Sequence, residues 1–184
     1  MVKIVECVPN ISEGRDEKII NACAEAVRKT KGATLLDADP GKSTNRTVFT
    51  FVGDPESIVE AAFQFSKTAY ELIDMTKHSG EHPRLGAVDV VPFVPVANVT
   101  MADCVECSKK FGKRVGEELG VPVYLYEEAS TNPKRKALKQ IRAGEYEGLK
   151  EKIYKSEWKP DFGPQEFIPK SGATVTGARF FLIA

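Results

Sequence analysis

Apolar residues follow two periods that alternate along the first part of the chain. Strand-like runs occupy 3–8, 33–38 and 47–52, whereas apolar positions within 19–27 recur at the three- and four-residue steps of a helix. The Asp39-Pro40-Gly41 turn between the second and third runs is too short to carry a helix. The pattern therefore predicts a strand, a helix and then two consecutive strands.

The same alternation continues through the middle of the chain. Asp54 precedes a proline and begins a second amphipathic helix, because its carboxylate accepts from free backbone N–H groups. The stretch over 74–86 has few apolar anchors and is predicted to be irregular. A strand over 87–96 follows, then a third helix capped by Thr100, then a strand over 121–126.

The chain closes with a polar, helical stretch over 132–159 and an apolar strand over 173–184. Taken together, the elements predict one α+β domain over residues 1–184, with a ferredoxin-like (split β-α-β) mixed sheet and helices packed on one face. Pro92 and Pro95 are expected to place their strand at an edge of the sheet or in a bend, because proline donates no ladder hydrogen bond.

Composition narrows the classes of partner. Lys and Arg together number 26, as do Asp and Glu, so no net charge attracts nucleic acid. No run approaches the roughly 20 apolar residues of a transmembrane helix. We expect a cytoplasmic protein with no nucleic-acid partner and no membrane partner.

The four cysteines are interpreted as core residues. Cys104 and Cys107 share helical spacing with apolar neighbours and have no second Cys/His pair at ligand spacing. His78 and His82 are four residues apart, but Gly80 and Pro83 argue against the continuous helix that a zinc pair needs. No metal is expected.

The segment that holds both histidines is the first candidate for chemistry. An imidazole at His82 changes protonation near neutral pH, and Glu81, Arg84 or a carboxylate from elsewhere in the chain could tune its pKa. A solvated loop histidine is the alternative interpretation.

Two other clusters of polar residues have both a structural and a functional interpretation. One group surrounds a turn and comprises Asp37, Asp39, Asn45 and Arg46. Asn45-Arg46 is a candidate for binding a carboxylate, and an ordinary surface turn is the alternative interpretation. A basic cluster is interpreted as a solvated helix face rather than a polyanion site. It comprises Lys134, Arg135, Lys136, Lys139 and Arg142.

Five segments, taken together and in order, resemble the glutamate formiminotransferases of the formiminotransferase-cyclodeaminase family, in their N-terminal subdomain. They are Val5–Asn10 with Ser12-Glu13-Gly14, Ser43–Val48, Gly80–Arg84 with Gly86-Ala87 and Asp89, Asp161–Pro164, and Gly172–Thr174 with Gly177–Arg179.

The resemblance implies transfer of a formimino group from N-formimino-L-glutamate to tetrahydrofolate, with His82 as the general base. Arg46 and Arg84 become hypotheses for partners of substrate carboxylates, with Asn45 in support. Asp37 or Asp39 becomes a hypothesis for orienting the His82 imidazole. The segment similar to the family's folate-binding loop comprises Gly163, Pro164, Gln165, Glu166, Phe167, Ile168, Pro169, Lys170, Ser171 and Gly172.

The resemblance also implies partners. Family enzymes have a second subdomain, which this sequence does not contain, and folate lies between the two halves. We therefore expect tetrahydrofolate as co-substrate, formiminoglutamate as the other substrate, a C-terminal formiminotransferase subdomain and a homodimer as partners. The alternative is a ligand-binding or assembly module derived from the same subdomain but without catalysis.

Overall fold

The computed structural model describes residues 1–180, which form a seven-stranded sheet and five α-helices. The strands are β1 (Ile4–Cys7), β2 (Asn10–Ile11), β3 (Ala33–Gly41), β4 (Arg46–Gly53), β5 (Val90–Ala97), β6 (Val123–Glu127) and β7 (Thr174–Ala178). The helices are α1 (Glu17–Arg28), α2 (Pro55–Leu72), α3 (Met101–Leu119), α4 (Leu138–Arg142) and α5 (Glu145–Lys152).

The sheet has an antiparallel half and a parallel half. In the antiparallel half, β3 pairs with β4, the opposite edge of β4 pairs with β1 and β2, and β1 pairs with β5. In the parallel half, β7 lies between β5 and β6. The antiparallel half has the split β-α-β order, so the predicted α+β class and mixed sheet are confirmed.

Strand β5 is internal, so the edge position predicted from its prolines is wrong. It pairs with β1 on one side and with β7 on the other. The predicted bend is present as an irregularity in register, where Ile4 pairs with Ala97 but Val5 pairs with Pro95. Pro92 takes part as an acceptor, since its carbonyl receives the backbone N–H of Val8 at 3.2 Å.

The three long helices pack together on one face of the sheet and enclose the main core. Their starts agree with the sequence: Asp54 caps α2 through the backbone N–H of Ser57, and Thr100 and Asp103 form a capping box on α3. All four cysteines are free thiols and buried, as expected of core residues. They are Cys7, Cys23, Cys104 and Cys107.

Helices α4 and α5 cover the opposite face of the parallel half, where a smaller core surrounds Tyr124 and Tyr126 of β6. The one-face arrangement therefore holds for α1 to α3 alone. Strand β7 ends at Ala178, and the predicted continuation over 181–184 lies outside the described residues.

Two members of the basic cluster point inward, which corrects its interpretation as a solvated face. The Arg135 guanidinium donates to the Lys159 carbonyl at 2.6 Å and contacts Asp161, and Arg142 bonds a buried carboxylate. Lys134, Lys136 and Lys139 are exposed. Among residues 1–180, no helix combines the length and apolar character needed to cross a bilayer.

Candidate active site

Three loops meet at one end of the antiparallel half, and Asn45 joins them. Its backbone is left-handed (φ 50°), a conformation that asparagine tolerates. Its side-chain oxygen accepts from the Gly14 backbone N–H at 2.9 Å, and its side-chain nitrogen donates to the Ser79 carbonyl at 3.0 Å. Both polar atoms of the side chain therefore make contacts within the protein, and a role for Asn45 beside a substrate carboxylate stays a prediction.

The loop that carries the histidines lies directly against the turn between β3 and β4. A methyl group on Gly80 would be 2.3 Å from the Thr44 carbonyl oxygen, so only glycine permits this approach. The Glu81 backbone N–H donates to the Ser43 carbonyl at 3.3 Å. Two of the segments that carry the family resemblance thus touch through their backbones.

His78 occupies an internal position with a defined tautomer. Its Nδ1 accepts from Nε of Arg84 at 3.0 Å, and its Nε2 lies 3.0 Å from the Asn45 carbonyl oxygen. Because Arg84 can only donate and a carbonyl can only accept, the proton is on Nε2. Burial lowers the pKa of His78, the Asn45 carbonyl opposes this, and the Arg84 charge adds to the lowering. The imidazole is neutral and holds two segments together.

His82 is half-buried and has the opposite tautomer. Its Nδ1 lies 2.6 Å from the Pro83 carbonyl oxygen, so Nδ1 carries the proton and Nε2 keeps a free lone pair. Burial lowers the pKa of His82 and the Arg46 charge lowers it further, while the Pro83 carbonyl opposes both. The ring is therefore a neutral base at pH 7 with one nitrogen available.

A buried carboxylate lies beneath this site. Asp89 is 0% exposed and accepts the Leu85 backbone N–H at 2.6 Å through Oδ1. Its Oδ2 accepts from Arg142, through Nε at 3.0 Å and through Nη2. Sequence reasoning gave Asp89 no role and placed Arg142 on a solvated face, although a single carboxylate before an apolar strand is a signal for a buried charge.

Arg46 and Arg84 differ in what remains available on their guanidinium groups. All three nitrogens of Arg84 are engaged, with His78, Glu145 and Glu147. Nε of Arg46 is buried and has no hydrogen-bond partner in the described part of the chain. Both arginines line a small crevice with His82, but Arg46 alone is disposed to take a ligand oxygen.

Asp37 and Asp39 lie elsewhere. Both are exposed on β3, the edge strand, where they pair with Thr50 and Val48 of β4. Neither makes a hydrogen bond to a histidine within residues 1–180. The carboxylate that the fold brings near His82 is that of Asp89.

The segment over 163–172 packs against the loop that carries the histidines. The Ala87 backbone N–H donates to the Ser171 carbonyl at 2.8 Å, and the Met75 backbone N–H donates to the Lys170 carbonyl at 2.9 Å. Gly86 and Gly172 form an isolated antiparallel bridge. The predicted folate-binding segment and the predicted catalytic segment are therefore neighbours at their ends.

Tyr146 of α5 connects these two segments. Its backbone N–H donates to the Arg84 carbonyl at 2.9 Å, and its hydroxyl donates to the Pro169 carbonyl at 2.6 Å. The ring packs on Phe167 with centroids 5.5 Å apart, and the Arg84 guanidinium lies 5.6 Å from its centre. Nothing in the local sequence distinguished Tyr146 from other surface aromatics.

No group of three or more His, Cys, Asp or Glu side chains suited to a metal ion occurs among residues 1–180. The donors that line the crevice are instead nitrogen and hydroxyl groups: Asn10, Ser12, Thr44, Asn45, Arg46, His78, His82 and Arg84. Donors of these kinds suit an anionic group, but the crevice encloses only about 150 Å³ and is too small to surround a ligand by itself.

Comparison with known proteins gives one consistent result. A family model for the formiminotransferase domain, N-terminal subdomain, matches residues 4–179. Proteins named formimidoyltransferase-cyclodeaminase from Dictyostelium discoideum and Mus musculus are 69% and 60% identical over all of this chain, which covers 34% of each. A protein named glutamate formimidoyltransferase from Streptococcus pyogenes is 50% identical over all of this chain, which covers 62% of it. The chain thus spans about a third of the bifunctional relatives and under two thirds of the shorter one.

Proposed function

Because this chain belongs to the formiminotransferase family, as its N-terminal subdomain, we propose that it provides the catalytic base for moving a formimino group from N-formimino-L-glutamate to N5 of tetrahydrofolate. The observation that carries the proposal is the tautomer of His82. With Nδ1–H held by the Pro83 carbonyl at 2.6 Å, Nε2 is the nitrogen that meets a substrate.

The reaction needs two proton transfers, and one imidazole serves both. N5 of tetrahydrofolate attacks the amidine carbon, and His82 Nε2 takes the proton that N5 loses. The imidazolium then returns that proton to the glutamate nitrogen as its bond to the amidine carbon breaks. The products are glutamate and 5-formiminotetrahydrofolate, and His82 is neutral again.

The surroundings of His82 support both roles. The lowered pKa of His82 keeps Nε2 unprotonated before the reaction. The buried Asp89 carboxylate favours the positive ring after proton transfer and offsets part of the opposing charge of Arg46 and Arg142. General acid–base catalysis contributes about 10²–10⁴-fold, so positioning of two substrates supplies much of the remaining rate.

The segment over 163–172 is proposed to hold the folate. Phe167 and Tyr146 offer aromatic surface, and exposed Glu166 offers a carboxylate at its rim. The side-chain nitrogens of Gln165 and Lys170 donate to backbone carbonyls. A C-terminal formiminotransferase subdomain is proposed as the other wall of the site, and a homodimer as the assembly, in the cytoplasm.

The test is transfer activity. The 184-residue chain is assayed with formiminoglutamate and tetrahydrofolate, alone and joined to the remaining segment of the Streptococcus pyogenes relative. We expect turnover in the joined protein, and a loss of at least about 10²-fold for His82→Ala. A joined protein that binds both substrates without turnover would contradict the proposal, whereas full activity in His82→Ala would remove only the role of that residue.

A further inference from the structure

Arg46, Arg142 and Asp89 lie near enough to His82 for the charge of each to act on its imidazole, and within residues 1–180 Asp89 bonds Arg142 but not Arg46. Asp89 is fully buried, and the Arg142 side chain is 16% exposed. The Arg142 guanidinium uses Nε and Nη2 on a single oxygen of Asp89, which leaves Nη1 without a protein partner within residues 1–180. Nε of Arg46 is also without one.

Such a cluster is unfavourable without a ligand. Removing a charged group from water costs several kcal/mol unless an opposite charge and hydrogen bonds compensate. Here the buried carboxylate of Asp89 bonds Arg142, and Nε of Arg46 has no partner within residues 1–180. Arg84, which lines the crevice with Arg46, has its own carboxylates in Glu145 and Glu147. One positive charge beside His82 therefore remains uncompensated, and a carboxylate is the group that guanidinium donors match best.

We propose that Arg46 and Arg142 together bind the α-carboxylate of formiminoglutamate, with Asp89 holding Arg142 in position. This inference rests on the proposed function and names the substrate group that the cluster recognises. Arg46 and Arg142 are binding residues, whereas Asp89 is a positioning residue because it acts through Arg142.

Substrate chemistry favours the α-carboxylate over other anions. The carbon that bears it is attached directly to the nitrogen that leaves, so binding at the cluster places the amidine carbon beside His82. The folate carboxylates lie beyond the benzoyl ring, at the far end of that molecule from N5. A carboxylate next to the reacting atoms therefore comes from the amino-acid substrate.

Binding measurements test this without turnover. The probes are N-acetyl-L-glutamate, its α-carboxamide, and p-aminobenzoyl-L-glutamate as a mimic of the folate tail, each titrated calorimetrically into the 184-residue chain. We expect wild type to prefer the acid over the α-carboxamide at least tenfold. Arg142→Gln should abolish that preference and leave binding of p-aminobenzoyl-L-glutamate unchanged. Lys134→Gln, which removes an exposed cation from the same stretch of chain, should keep it.

Arg142→Gln leaves Asp89 buried and unpaired, which threatens folding. The double variant Asp89→Asn/Arg142→Gln replaces the ion pair with two amides and separates folding from binding. We expect its circular dichroism spectrum to be that of a folded protein, and we expect it to bind N-acetyl-L-glutamate no better than the α-carboxamide.

Three results overturn the inference. They are a double variant that still prefers N-acetyl-L-glutamate over its α-carboxamide, a double variant that loses binding of p-aminobenzoyl-L-glutamate instead of that preference, and a wild type that binds neither acetylated probe. Preference without transfer in the joined protein would uphold the cluster and reject the proposed function instead.

Discussion

The guanidinium of Arg84 donates through Nε to Nδ1 of His78 at 3.0 Å, and this bond gives His78 a different role from His82. His78 has both ring nitrogens engaged inside the protein. His82, four residues later, has only Nδ1 engaged among residues 1–180. The histidine that stabilises the loop is therefore distinct from the one that is free to exchange protons.

Arg84→Lys is expected to lower the free energy of unfolding by about 1–2 kcal/mol. An ammonium lacks the planar fork by which three guanidinium nitrogens reach His78 and the two glutamates. The exposed glutamate partners add little to the part-buried hydrogen bond with His78. Chemical denaturation measures the change. Arg114→Lys is the control, since Arg114 also contacts two glutamates but is 33% exposed, and it should cost less. Equal losses would contradict the importance of the His78 contact.

The pH profile of transfer reports His82. Its pKa is lowered, mainly by burial and next by Arg46, so the acid limb of kcat/KM should have its midpoint below about 6.5. Activity is present above that midpoint and is lost as the pH falls through it, because the protonated ring cannot act as a base. Arg46→Gln should move the midpoint upward, whereas Arg28→Gln on α1 should not. A midpoint that stays fixed in Arg46→Gln would show that the two groups do not interact.

Gly86→Ala is expected to destabilise the protein by about 1–3 kcal/mol. The added methyl would lie 2.3 Å from the Ala173 carbonyl oxygen and 2.5 Å from that of Ser171, and both are backbone atoms that cannot turn aside. Gly148→Ala is the matched control, because nothing lies within 4 Å of its added methyl in α5. It should stabilise the protein by about 0.5–1 kcal/mol. Thermal unfolding of both variants tests the contrast.

Tyr146→Phe should raise the KM for tetrahydrofolate about fivefold and leave kcat nearly unchanged. It removes the hydroxyl that holds the Pro169 carbonyl, a contact of about 1 kcal/mol, while keeping the ring that packs on Phe167. Tyr70→Phe removes a hydroxyl from Thr174 in the core and should change stability without changing that KM. An unchanged KM in Tyr146→Phe would separate this tyrosine from folate binding.

The sequence predicted the elements that local pattern controls. Periodicity located α1 to α3, and the Thr100 and Asp103 capping box is visible in the letters themselves. Partners in space were harder to predict. Pro92 and Pro95 suggested an edge or a bend. Strand β7 returns from far along the chain to pair with β5, and the irregularity in register lies at Pro95.

The site shows the same division. His82 stood out because imidazole chemistry is rare and its motif is specific. Arg142 did not, because it is one of several cations in a row and only the fold brings it to Asp89. Asn45 was singled out for a ligand, whereas the left-handed backbone and two loop contacts explain its presence.

The four buried thiols can report local opening of the core. Burial raises the pKa of Cys23 and Cys104 to about 12 and that of Cys107 to about 11, and it raises the pKa of Cys7 as well. Alkylating reagents react with the thiolate, so the thiols of the folded chain should not react with them at neutral pH. Each cysteine that becomes labelled then records an opening of the core around it, and the order of labelling shows which part of the core unfolds locally first.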